Sequence, residues 1–97
     1  MKLTLTSEGV RIRLTYAELE ALTAKALHMT CAGWEWAVRS TTEPTSALTG
    51  WPSFPLLKLG TRDFHDLQAE PENGIILNTV TPKIILEVDK RDRLSRV

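Results

Sequence analysis

The sequence predicts an α+β domain: a mostly antiparallel sheet of five to six strands in the order ββαβ(β)ββ, with one main helix packed on one face. Three observations predict it. Apolar and polar residues alternate in several short runs, the mark of half-buried strands. One segment switches to helical spacing behind a capping signature. The stretches between these runs collect glycine and proline, which punctuate structure.

Leu3 and Leu5 alternate with Lys2, Thr4 and Thr6; Val10, Ile12 and Leu14 alternate with Arg11, Arg13 and Thr15. These read as strands over 2–6 and 10–14, an antiparallel hairpin turning at Ser7-Glu8-Gly9, where glycine supplies positive φ. Thr15 through Glu18 fits a capping box, each end able to satisfy the other's amide. Behind it Leu19, Leu22, Ala26 and Leu27 form an apolar stripe, so the helix is expected to run for about three turns and end near His28. Residues 34–40 alternate again. Trp34, Trp36 and Val38 share one face; Glu35, Ala37 and Arg39 share the other.

Residues 42–55 hold three prolines and a glycine and read as an irregular loop. A short strand is expected over 56–59. Residues 61–68 suit one or two helical turns, with Thr61 as N-cap and Asp63 in the first turn. A turn follows over 69–74. Residues 75–80 and 83–88 read as strands joined through Thr81-Pro82, where Pro82 lacks an N–H and belongs in the turn. The charged tail, 90–97, is expected to fray. No internal repeat is evident at any period.

The 97 residues are 42% hydrophobic and 25% charged, which fits one soluble domain with one modest core. Twelve basic residues balance twelve acidic ones. That excludes the long-range field of a non-specific DNA binder and the acidity of a nucleic-acid mimic, so nucleic acid is disfavoured as a partner. Charge is unevenly spread: Arg62 faces Asp63, Asp66, Glu70 and Glu72 within 61–72, while residues 83–97 are net basic. A single cysteine, Cys31, excludes an internal disulfide. The first residues lack the apolar run of a signal peptide, and no stretch has the ~18 apolar residues of a membrane span. The expected location is the cytoplasm.

Several residues invite a chemical reading. Arg11 and Arg13 are either an anion clamp or the wet side of a strand, with the second preferred. Trp34 and Trp36 are either core or a stacking platform, which would draw on Arg11, Arg13 or Arg39 to hold anions. Trp51 and Phe54 sit on a proline-stiffened loop that either lids the core or faces a partner. His28 with Cys31, and His65 with Asp63 and Asp66, are two loose pairs and not the paired spacing of a zinc site. Cys31 with His28 or His65 as base lacks an evident third orienting group. No metal, cofactor or catalytic residue set is expected.

Residues 1–22, through Lys2, Arg11, Arg13, Leu14, Thr15 and Glu18, resemble a group of small uncharacterised bacterial proteins. These open with a Met-Lys strand and enter a Glu-bearing helix through an Arg-x-Arg-Leu-Ser/Thr strand. The Gly33–Trp36 and Gly50–Pro55 segments depart from that pattern. The resemblance implies a hairpin-helix opening and a bacterial origin, and no function.

The resulting expectation is a non-enzymatic module that binds another protein or itself; the alternative is a small-molecule or nucleic-acid binding domain using the Trp34 and Trp36 platform with Arg11, Arg13 or Arg39. Strands 75–80 and 83–88 carry apolar groups on both faces, and a strand of that kind is usually covered on both. One helix supplies one cover. Either loop 42–55 or a second copy supplies the other, and a homodimer with Ile76 and Ile85 near its interface is expected.

Overall fold

The computed structural model describes residues 1–31, 33–51 and 53–89 (of Cys31 the backbone only); the expected fraying of the tail lies outside them. The strands are β1 (Lys2–Leu5), β2 (Val10–Leu14), β3 (Leu27–Cys31), β4 (Trp34–Ser40), β5 (Ala47–Thr49), β6 (Leu56–Leu59), β7 (Ile75–Leu77) and β8 (Ile84–Val88). The helices are α1 (Tyr16–Ala21) and α2 (Thr61–Ala69), and a 3-10 turn covers Pro71–Asn73. The α+β class stands. The single sheet does not: the strands form two sheets of four, β1-β2-β8-β7 and β3-β4-β6-β5. Most pairings are antiparallel, but β2·β8 and β4·β6 are parallel.

Both sheets have one plan. In each, an antiparallel hairpin lays its second strand parallel to the last strand of another hairpin. The registers coincide as well. Lys2 pairs with Arg13 as Ala47 pairs with Lys58, an offset of 45 residues. Leu27 pairs with Val38 as Ile75 pairs with Leu86, an offset of 48. Arg13 lies beside Glu87 as Lys58 lies beside Arg39, which satisfies both offsets at once. The helices begin at equivalent places, Tyr16 and Thr61. The chain is therefore a structural repeat, ββαββ followed by ββαββ, which the sequence does not show as a period. The halves are interleaved. Each sheet takes its first hairpin from one half and its second from the other, so the exchange relating them is a pseudo-two-fold.

The capping box at Thr15 is present: Glu18 N donates to Thr15 Oγ1 at 3.1 Å, and Thr15 N donates to Glu18 Oε1 at 2.9 Å. The helix is shorter than expected. It stops at Ala21, where the Thr23 hydroxyl turns back to the Glu20 carbonyl at 2.8 Å. Leu27 then starts a strand, so His28 lies in a sheet and not at a helix C-terminus. The α2 segment is helical as the sequence suggested, but its N-cap is Gly60, with Thr61 the first helical residue. A Cβ at Gly60 would meet the Thr45 carbonyl carbon at 2.4 Å and the Pro44 oxygen at 2.7 Å. Ala47–Thr49 is a strand inside the expected loop, and the strand expected over 75–80 is reduced to Ile75–Leu77.

The inner faces meet in one core. Leu3, Ile12, Leu14, Ile84 and Leu86 from one sheet pack with Trp36, Val38, Leu57 and Leu59 from the other. Leu22 of the α1 C-cap and Leu67 of α2 close it at equivalent positions. The opposing sheet covers the inner face of β7 and β8; among the described residues, neither the 42–55 segment nor a helix covers their outer face. Ile76 and Ile85 are cross-strand neighbours on the outer face, Ile76 being 57% exposed.

Candidate functional site

Trp34 opens β4, Trp36 lies two residues further on the same face, and Trp51 comes from the turn between β5 and β6. That turn is closed by Phe54 N donating to the Gly50 carbonyl at 2.8 Å. Trp51 stands edge-on to both neighbours, with ring centroids 5.8 Å from Trp34 and 5.5 Å from Trp36, favourable T-shaped geometries. Their exposures differ sharply. Trp36 is 1% exposed, Trp34 37%, Trp51 40% and Phe54 70%. Trp36 therefore has no open face, and a Trp34/Trp36 stacking platform is not present. The turn does both things the sequence allowed: Trp51 covers Trp36, while Trp51 and Phe54 still face outward.

Two clefts flank this turn. One, of about 420 Å³, lies between Trp34, Trp51 and Leu5 on one side and Gly9, Pro82 and Lys83 on the other. Thr6 and Pro82 are the equivalents of Trp51 and Trp34, so this cleft lies where the matching ends of the two halves meet. The other, of about 350 Å³, lies on the outer face of the β3-β4-β6-β5 sheet, between Phe54, Leu56, Ala37, His28, Glu35 and Arg39.

The chain matches no family model, no curated protein and no solved structure. Its own structural repeat offers the informative comparison. Positions that keep their character in both halves serve the fold: Leu3 and Leu48, Ile12 and Leu57, Leu14 and Leu59, Leu19 and Phe64, Leu22 and Leu67. The aromatic end keeps nothing. Trp34, Trp51 and Phe54 correspond by register to Pro82, Thr6 and Gly9, in connections of different length: β1 and β2 pair out to Leu5 and Val10, β5 and β6 only to Thr49 and Leu56.

The remaining candidates take structural places. Arg11 Nε and Arg13 Nη2 each lie 3.4 Å from the Glu87 carboxylate, on the outer face of the first sheet. Sequence reasoning missed Glu87 because a parallel pairing across 74 residues leaves no local signal. A polar groove of about 380 Å³ beside them is lined by Arg13, Glu72, Glu87 and Asp89. Asp63 is held by the buried Ser46, whose hydroxyl donates to it at 2.5 Å and accepts from Gly60 N at 2.9 Å. His28 and His65 are exposed on different elements. Among the described residues, no three His, Cys, Asp or Glu side chains come together. No helix is long and apolar enough to cross a membrane.

Proposed function

We propose that this protein is a non-enzymatic interaction module that receives another protein on the end formed by Leu5, Trp34, Trp51 and Phe54. One observation carries the reading: large apolar side chains stand exposed together at one end of the molecule, at positions whose register equivalents in the other half are Thr6, Gly9 and Pro82. Rigid aromatic groups beside a cleft are the anchors on which protein interfaces concentrate their energy. They also bury much area for little conformational entropy.

The test is a photo-crosslinking residue in place of Phe54, introduced in the native host. A discrete adduct with another protein, lost when Trp51 is changed to Ala in a chain that still folds, supports the reading. No adduct, or an adduct indifferent to Trp51, removes it.

Self-association is the second reading, favoured by the adjacent Ile76 and Ile85 on the outer face of the first sheet. A homodimer in sedimentation that Ile76→Asp dissociates supports it. A wild-type monomer at tens of micromolar rejects it.

A further inference from the structure

The structural repeat makes each outer face a control for the other. On the first sheet, the row of neighbouring residues is Lys2, Arg13 and Glu87, and the Glu87 carboxylate answers the arginines. The equivalent row on the second sheet is Ala47, Lys58 and Arg39. Arg39 stands where Glu87 stands, and Lys58 where Arg13 stands. The parallel pair that sets opposite charges side by side in the first sheet, Arg13 and Glu87, sets like charges side by side in the second, Lys58 and Arg39. Like charges directly opposite on neighbouring strands are destabilising. Among the described residues, no carboxylate lies in ion-pair distance of Arg39 or Lys58.

Of these cations Arg39 borders the 350 Å³ cleft, and Lys58 is its register partner two residues beyond the lining residue Leu56. The floor of the cleft is Ala37 and Leu56, and Phe54 forms a wall. Glu35 lines the cleft too, but it is four residues from Arg39 along β4, roughly 13 Å at strand rise. The cleft thus has an apolar middle, a cationic end and an acidic end, with His28 beside the middle.

We propose that this cleft binds an acidic peptide segment of a partner protein, with an apolar side chain against Phe54 and a carboxylate between Arg39 and Lys58. The proposal rests on the reading of the protein as an interaction module and names the chemistry of its partner. The bound carboxylate does for the second sheet what Glu87 does for the first. Charge complementarity selects the segment: the cationic end attracts a carboxylate, and Glu35 repels one at the opposite end, which fixes direction.

The probe is a short fluorescein-labelled peptide of alternating leucine and glutamate, followed by anisotropy at low ionic strength. Binding is expected to weaken as salt is added. Arg39→Glu is expected to weaken it at least tenfold, whereas Lys2→Glu, an equal charge change on the other sheet, leaves it intact. Without peptide, Arg39→Glu is expected to raise the melting midpoint, because it recreates the opposite-charge row of the first sheet. No binding, equal loss in both variants, equal competition by a single-stranded oligonucleotide or inorganic phosphate, or a lowered midpoint would each overturn the proposal. If the adduct at position 54 persists in Arg39→Glu while peptide binding is absent, the interaction module stands and this site falls.

Discussion

Thr15 and Gly60 hold the same place in the two halves and solve the same problem differently. Thr15 caps α1 with its own hydroxyl, and Glu18 reaches its amide directly. Asp63 is one methylene shorter than Glu18, and the Ser46 hydroxyl relays the contact to Gly60 N. Thr15→Ala should therefore cost about 1 kcal/mol in urea unfolding, and Thr15→Gly only a few tenths. Arg11 and Arg13 are partly exposed, so each Arg→Ala change should move stability by less than ~0.5 kcal/mol. A double-mutant cycle of Arg13 with Glu87 should couple by no more than ~1 kcal/mol. Glu18 behaves differently. Burial opposes its ionisation, but the Met1 ammonium at 2.6 Å and the hydrogen bonds from Thr15 outweigh burial and hold its pKa below the usual 4.5. A carboxyl with a lowered folded-state pKa contributes stability that is present above the unfolded value and lost as pH falls through the folded one. The urea midpoints of wild type and Glu18→Gln should differ at neutral pH and converge below 4.5.

At the scale of elements, legibility followed the length of the signal. The first hairpin and the α1 cap were readable because Val10, Ile12 and Leu14 alternate cleanly and Thr15 and Glu18 stand three apart. The end of α1 was not. Ala26 and Leu27 continue the helical spacing by chance, and they hid the alternation of Leu27 with Met29 that makes β3. β5 is three residues long, too short for a period to show. The repeat escaped because its halves agree mainly in apolar character and its offset changes from 45 to 48 between the hairpins. Trp34 and Trp36 share a face, as their spacing required. Only the position of Trp34 at the mouth of the strand left one exposed and buried the other. The Arg39–Lys58 row needed a parallel pairing, which no local pattern announces. Gly60 was overlooked as a cap because Thr61 is the better capping residue by type. The close approach of Pro44 and Thr45 decides in favour of glycine. Gly60→Ala should therefore lower the midpoint of thermal unfolding markedly. Thr61→Ala, on the exposed first turn, should hardly move it; equal effects would place the cap at Thr61.

For the whole molecule, interleaving decides how the parts depend on each other. Neither half owns a sheet: β1 and β2 need β8, and β4 needs β6. All three tryptophans lie in the second sheet or the turn between its strands. Their fluorescence therefore reports one sheet, while circular dichroism reports both. The two signals should give coincident urea transitions, as a single cooperative unit requires. Separated midpoints would show the sheets unfolding independently. The interleaving also sets an order in time. As the chain leaves the ribosome, β1 and β2 emerge before the other described strands, yet the strand that must lie beside β2 is β8, the last of those described. The β3–β4 hairpin waits less, since β6 follows soon after. The second sheet can therefore close before β8 has emerged, and the first only after it. Until then the apolar face of the first hairpin is a surface that the growing protein must keep from its neighbours.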